Sequence, residues 1–276
     1  MNLEPTSERV IEDFRSDSPR AYLIYLFHII TYDYAREFVQ DMRVLDFGCG
    51  SGYGTARIAE HCRHVIGVDV ASDAIAHARG TYQRHNLEYA TIAPAEEQAL
   101  PYPDQSFDVV LSFQVIEHVT DEAKYLSEAW RVLRPGGRFV VATPDRSSRL
   151  LPGQKPWNRW HLREYSDSAF KDLLATRFSS VSIKKMGGRR DVIAIETTRT
   201  RRLRWLLLPL TLPFIPEALR VTGLGLIRAA GERVGRWFSP GRNGSSVAAE
   251  FGFGSEHLSI SDSENPSVNL IAIATR

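Results

Sequence analysis

Residues 44–54 read VLDFGCGSGYG: a short apolar run closes on Asp46, and glycines follow at 48, 50, 52 and 54. A strand that breaks into glycines makes a tight turn whose backbone a ligand can approach closely. The stretch is not a dinucleotide fingerprint, which needs glycine or alanine three places after its second glycine. Counted from Gly48 that place holds Tyr53, and counted from Gly50 it holds Thr55. An acidic side chain ahead of the first glycine also suits a pyrophosphate poorly. It suits the ammonium of a bound methionine moiety, met directly or through water.

Outward from this turn, short apolar runs alternate with amphipathic stretches. RVLDF (43–47), HVIGVDV (64–70), LEYATI (87–92), FDVVLSF (107–113) and GRFVVAT (137–143) read as buried strands, rich in Val, Ile and Phe and bounded by Gly, Asp or Pro. Thr55–His61, Ser72–His85 and Glu122–Leu133 read as the helices between them, with Thr120 or Asp121 capping the third and Pro135-Gly136-Gly137 stopping it. Such alternation predicts an α/β fold, a mainly parallel sheet covered by helices on both faces. Asp69 stands at the tip of the second strand, about twenty residues past the turn, where a carboxylate can accept from both hydroxyls of a ribose. The competing reading makes this acid, or Ser72 or Asp73 beside it, a helix cap.

The rhythm changes near residue 187. Gly187-Gly188-Arg189-Arg190 is followed by a basic cluster (Arg199, Arg201, Arg202, Arg204), by WLLLPLTLPFIP, by a longer segment from Glu217 to Phe238, and by a Gly/Ser-rich stretch over 239–255. VNLIAIATR (268–276) again resembles a buried strand. These features divide the chain into an N-terminal helical segment (1–42), a core (43–186 plus 265–276) and an inserted segment (187–264). A competing division makes DVIAIETT (191–198) the last strand and everything beyond it an appendage.

The 276 residues carry a formal net charge of +1, with 43% apolar and 24% charged side chains. That is ordinary for a globular protein and gives no sign of a nucleic-acid partner. Two cysteines, Cys49 and Cys62, can make neither a disulfide framework nor a four-ligand zinc site, and no metal centre is expected. The opening MNLEPTSERVIEDF is too polar for a signal peptide and no apolar run reaches about 18 residues, so a cytoplasmic protein without a spanning helix is expected.

Taken in order, VLDFGCGSGYG (44–54), VIGVDVA (65–71), PAEEQALPYPDQSFDVVLSFQVIEHV (94–119) and EAWRVLRPGGRFVVATPD (128–145) resemble the successive motifs of class I S-adenosylmethionine-dependent methyltransferases of the methyltransferase-11-like type. The match covers roughly residues 21–186. The resemblance implies a Rossmann-like three-layer sandwich, with a seven-stranded sheet whose last strand is antiparallel and S-adenosyl-L-methionine across the carboxyl ends of the strands. On that resemblance Asp46, Gly48 and Gly50 match the methionine-side turn, Asp69 the ribose contact and Val70 the residue flanking the adenine. Ala95 and Glu96 match the adenine-edge loop, where Pro94 replaces the usual Asp, and Gln114 faces the methionine end. FHIITYDYAREFV (27–39) resembles a helix that commonly reads H-x-x-R-Y; His28 and Tyr32 match it, but Thr31 occupies the arginine position.

A hydroxyl acceptor benefits from a base during methyl transfer. His118, after the fourth strand, and His161, in NRWHLREYS (158–166), are the candidates. The second segment resembles an H-x-x-E-[YF]-[ST] signature of methyltransferases associated with sugar and glycan biosynthesis, which implies that Glu164 and Tyr165 line the acceptor side with Trp160; Ser166 can also cap the next helix. Leu219, Leu226, Ile227, Val234, Trp237 and Phe238 lie among Arg220, Arg228, Arg233 and Arg236. Residues 199–238 are therefore expected either to touch an anionic membrane surface or to bury their apolar side chains against protein, as a lid or homodimer surface. The function expected is methylation, chiefly O-methylation, of a small-molecule acceptor: a sugar, glycan-linked or lipid-linked intermediate. The alternatives are a non-catalytic cofactor-binding or scaffold protein and, more weakly, an NAD-dependent oxidoreductase.

Overall fold

A computed structural model describes residues 18–95, 97–238 and 251–276. Eight strands form one sheet: β1 (Arg43–Phe47), β2 (His64–Asp69), β3 (Leu87–Thr91), β4 (Phe107–Phe113), β5 (Leu133–Pro144), β6 (Ser180–Gly188), β7 (Leu258–Ser261) and β8 (Asn269–Thr275). Their spatial order is β3-β2-β1-β4-β5-β8-β6-β7. The first five strands pair in parallel, while β8 lies antiparallel between β5 and β6. The chain works outward from β1 to β3 and then crosses back to β4. The carboxyl ends of β1 and β4 therefore flank the point where the strand order reverses, the place an open α/β sheet offers to a ligand.

Nine helices accompany the sheet among the described residues: α1 (Pro19–Val39), α2 (Tyr53–Ile58), α3 (Ser72–Thr81), α4 (Glu122–Val132), α5 (Arg146–Arg149), α6 (Asp167–Ala175), α7 (Arg190–Leu206), α8 (Leu208–Thr211) and α9 (Glu217–Phe238). Strand periodicity sorts the core into two layers. Leu45, Val110, Phe139, Val141, Leu270 and Ala272 pack on the face covered by α4 and α6, with Leu126, Ala129, Phe170 and Leu174. Val44, Val109, Leu111, Val140, Ala142 and Ile271 pack on the opposite face with Tyr32 and Ala35 of α1, Ile58 of α2, and Val192 and Ile193 of α7. The same parity turns Asp46 toward α1 and α2. Asp121 caps α4 by accepting from the Lys124 amide (3.1 Å), and Ser166 caps α6 by accepting from Ala169 (3.3 Å).

Two expectations change. The sheet has eight strands rather than seven because β7 extends it beyond β6. This edge strand has four residues in a serine-rich stretch, too short to show an apolar alternation, and it falls within 187–264. DVIAIETT is not the last strand but the start of α7. Its β-branched run resembles a strand over eight residues, yet the buried positions are Val192, Ile193, Glu196 and Thr200, one stripe of a helix. The last strand is β8.

Candidate functional site

The turn after β1 is built by backbone that side chains would obstruct. Gly48 has φ +92°, and a Cβ there would stand 2.3 Å from Cγ2 of Val115, so the loop after β4 packs directly on the turn. A Cβ on Gly50 would meet nothing within 4 Å: this part of the turn opens onto space. Asp69 ties the turn to β2. Its Oδ2 accepts from the Gly50 amide (2.8 Å) and its Oδ1 from the Ala71 amide (2.9 Å). An ionised carboxylate has roughly four acceptor positions, so this bonding leaves capacity for the hydroxyls of a ribose.

Asp46 is fully buried, which is costly for a carboxylate. Its Oδ2 accepts from the Thr55 hydroxyl (2.6 Å) and the Tyr32 phenol (3.1 Å), while Oδ1 has no hydrogen-bond partner. Burial pushes its pKa up to about 6, against the pull of the Thr55 and Tyr32 hydrogen bonds and with a smaller push from Asp69. A buried acceptor with one orphaned oxygen at a strand tip fits a cationic ligand group. Tyr32 reaches it from α1, its ring edge-on to Phe113 at 4.9 Å and close against the backbone of Gly54. The phenol therefore orients Asp46. Thr31, at the arginine position of the expected helix pattern, turns its hydroxyl back onto the Phe27 carbonyl (2.7 Å).

The remaining cofactor-side residues are scattered around the same strand ends. Val70, 57% exposed, follows Asp69 and offers apolar surface. Ala95 is buried, and Glu96 lies outside the described residues. Gln114 adopts φ +59°, with its amide donating to the Ala142 carbonyl (2.8 Å). A left-handed non-glycine residue costs of order 1 kcal/mol, and strain of this kind clusters at functional sites.

The acceptor-side candidates converge on the turn formed by Ile116–His118. The His118 and His161 rings meet edge to face, 4.9 Å apart at 85°. His118 Nδ1 bonds the Trp160 carbonyl (3.0 Å), and the Leu162 amide donates to the Glu117 carbonyl (2.9 Å), so the two loops are stitched together. His161 Nδ1 bonds Glu164 Oε1 (2.8 Å), and Arg149 donates from Nε to Glu164 Oε2 (2.9 Å). Burial would raise Glu164, but Arg149 and His161 outweigh it and hold the carboxyl down to about 2. Glu164 is thus an anion that orients His161. Tyr165 faces the core, its ring on Phe170 and its hydroxyl donating to the Glu122 carboxylate. Trp160 is half exposed under the Arg159 guanidinium.

Three residues that sequence reasoning missed complete this region. Glu117 is buried between the histidines and Thr143, whose hydroxyl donates to its Oε2 (3.0 Å). Arg149 stacks on Trp157 and also faces Glu196 of α7. Arg220 of α9 is 1% exposed and donates to the carbonyls of Pro156 (2.6 Å), Asn158 (3.1 Å) and His161 (3.2 Å). It holds the acceptor-side loop in place. The only signals in the sequence were the Glu beside His118 and two arginines in unremarkable surroundings.

Residues 45–141 match the family model described as a methyltransferase domain. Two curated relatives carry the name probable S-adenosylmethionine-dependent methyltransferase. One, from Mycolicibacterium smegmatis, is 46% identical over 134 residues, covering 48% of this chain and 50% of that protein. The other, from Mycobacterium tuberculosis, is 39% identical over 172 residues, covering 61% of this chain and 58% of that protein. The chain therefore spans between half and three-fifths of the length of these relatives. A solved S-adenosylmethionine-dependent methyltransferase from Thermotoga maritima has the same fold, with a TM-score of 0.54 at 14% identity over 92% of this chain and 91% of that one. The cyclase SpnF gives 0.53 at 18% identity over 90% and 80%. With this sheet order and the glycine turn between Asp46 and Asp69, residues 45–141 are similar to a methyltransferase domain, and the chain is similar in sequence to probable S-adenosylmethionine-dependent methyltransferases and shares the fold of solved ones.

Proposed function

We propose that this protein methylates a hydroxyl group of a small-molecule acceptor, a sugar, glycan-linked or lipid-linked compound. The observation that carries the reading is the convergence of His118 and His161 at the carboxyl end of β4, beside the turn that suits the cofactor. Bound S-adenosylmethionine supplies an electrophilic methyl group on a sulfonium. Asp46 would meet the cofactor's ammonium, Asp69 its ribose and Val70 its adenine. Charge disperses during methyl transfer, so holding and desolvating the reactants supplies much of the rate. A hydroxyl also needs help with its proton, and the paired imidazoles are the polar groups fixed nearby to give it. Among the relatives, a fatty-acid O-methyltransferase of Mycolicibacterium smegmatis is 36% identical over 127 residues, covering 45% of this chain and 44% of that protein, which supports oxygen as the acceptor atom.

The surface of α7–α9 favours a hydrophobic acceptor. Trp205, Leu206, Phe214, Leu219, Leu226 and Ile227 are 47–75% exposed, and Arg201 and Arg202 are exposed beside them. Among the described residues nothing buries these apolar side chains, which supports an outside cover, a membrane surface or a second copy. We favour the membrane, where a lipid-linked acceptor would lie. Arg228, Arg233, Val234, Arg236, Trp237 and Phe238 lie outside the described residues where side chains are concerned. No helix among the described residues is long and apolar enough to cross a bilayer.

Calorimetry with S-adenosylmethionine, S-adenosylhomocysteine and NAD, on the protein and on Asp69→Ala, tests the cofactor half. The expected result is binding of the two adenosyl ligands only, lost in the variant. An acceptor screen that follows labelled methyl transfer to sugars and glycolipids tests the other half. Tight cofactor binding without any transfer would support a non-catalytic or differently reacting protein on this fold.

A further inference from the structure

We propose that Glu117, His118 and His161 form a site for one divalent first-row transition cation, of the class of Zn2+, Co2+ or Mn2+. One ligating atom from each residue lies within 4.8 Å of the other two. Two come from the turn after β4 and the third from the loop before α6, and the backbone bond from Leu162 to Glu117 fixes the loops against each other.

The hydrogen bonds around the three side chains orient them as ligands. The Trp160 carbonyl can only accept, so His118 carries its proton on Nδ1. Glu164, held through Oε2 by the Arg149 guanidinium, presents Oε1 as an acceptor to His161 Nδ1, which places that proton as well. In a neutral imidazole with Nδ1 protonated, the lone pair resides on Nε2, the form in which histidine ligates metals. A carbonyl or carboxylate on the far nitrogen is also the usual outer support of such a ligand, and here both histidines have one. Glu164 is in turn held by Arg149 (2.9 Å), so this outer support is itself anchored.

Glu117 provides an independent indication. It is fully buried, and Oε1 has no hydrogen-bond partner, in contrast to Oε2, which accepts from Thr143. Among the described residues Glu164 and Glu196 both form ion pairs with arginine, whereas Glu117 faces the two histidines and Thr143. A buried carboxylate without a direct arginine partner is expensive, and a cation would offset that cost. Two imidazoles and one carboxylate suit zinc or a neighbouring transition ion, because magnesium and calcium prefer all-oxygen sets. A tetrahedral ion with bonds of about 2.1 Å sets its ligands roughly 3.4 Å apart, so from separations of up to 4.8 Å the groups must close by up to about 1.4 Å to grip it. Three protein ligands leave a position open for an exogenous oxygen. This consequence rests on the O-methyltransferase reading and refines it: with both imidazoles engaged as ligands, the ion rather than a free imidazole would help the acceptor lose its proton, by lowering the pKa of a hydroxyl bound there.

The test uses untagged full-length protein stripped with chelator, with Co2+ alone as the probe and its visible absorption as the readout. One equivalent should bind, with the band intensity of a four- or five-coordinate ion, and Zn2+ should displace it. Glu117→Gln and His118→Asn should each weaken binding at least about tenfold. S-adenosylhomocysteine affinity, measured on the same samples, reports folding and the cofactor reading independently. Cobalt binding lost in both variants while S-adenosylhomocysteine still binds supports the site. A protein that binds S-adenosylhomocysteine but no cobalt overturns the site and leaves the methyltransferase reading intact. Cobalt binding that survives both substitutions also overturns it, because the ion then sits elsewhere. Cobalt binding by these residues without S-adenosylhomocysteine binding would keep the site and sink the methyltransferase reading.

Discussion

Asp46 is held under an unfavourable balance that a cationic ligand would relieve. Its pKa of about 6 lies above the ordinary 3.8, so the fold disfavours its charged form. The resulting penalty, about 3 kcal/mol, is fully present above pH 6 and is removed as pH falls from 6 toward 3.8. The cofactor's ammonium needs the opposite state. S-adenosylmethionine affinity should therefore drop as pH falls through about 6, and calorimetry between pH 5 and 8 would show it. Asp46→Asn should bind the cofactor at least about tenfold more weakly at pH 7.5, yet melt at a higher temperature without ligand, because a neutral amide replaces a desolvated charge. A variant that loses affinity and stability together would show that the carboxylate is structural. Tyr32→Phe removes a donor to that carboxylate. It should raise the Asp46 pKa further and move the acid limb of the affinity profile to higher pH, which the same titration would register. Asp46, the glycines and Asp69 were legible because their chemistry is local to one turn and its neighbouring strand. The Tyr32–Asp46 bond was not, since it joins residues from α1 and β1 through a packing angle that no spacing encodes.

Elements divide the same way. The central parallel strands β1, β2, β4 and the second half of β5 are buried on both faces and so are written as near-continuous apolar runs, which made them readable. The edge strand β3 is only partly buried and carries a weaker pattern. DVIAIETT misleads because eight residues with β-branched side chains fit either period, and only the continuation through Arg204 decides for a helix. β7 is unreadable because an edge strand of four residues needs no apolar alternation to pair with β6. Least visible was the link between α9 and the acceptor loop. Arg220 binds three backbone carbonyls over 156–161 and is partnered by Glu217, which is half exposed. Nothing in the sequence distinguishes it from the surface arginines around it. Arg220→Leu leaves those carbonyls unsatisfied and should cost about 3 kcal/mol, measured by urea unfolding. It should also slow methyl transfer while S-adenosylhomocysteine affinity stays within about twofold, since the loop it anchors carries His161 and not the cofactor turn. Equal losses in both would mean that the effect is global unfolding.

At the scale of the molecule, the cofactor half is enclosed by its own core while α7–α9 carries six large apolar side chains on its surface. Scattered exposed leucines need no explanation, but a contiguous segment bearing Trp205, Leu206, Phe214 and Leu219 with adjacent arginines does. Burying such side chains in an interface is worth about 1.5–3 kcal/mol each at most, and arginines near an anionic bilayer add about 1 kcal/mol each, enough together for reversible attachment. The protein should then sediment with vesicles containing anionic phosphatidylglycerol and less with purely zwitterionic ones, and the difference should shrink as salt rises to several hundred millimolar. Leu206→Glu together with Phe214→Glu places two acids at exposed apolar positions of this segment and should abolish sedimentation while leaving S-adenosylhomocysteine affinity unchanged, because both residues are exposed and lie outside the elements that carry the Asp46–Asp69 turn. Should vesicles fail to bind while light scattering shows a dimer that these substitutions dissociate, the face is a contact between copies. The acceptor would then reach His118 and His161 from water, and the screen should turn from glycolipids to soluble sugars.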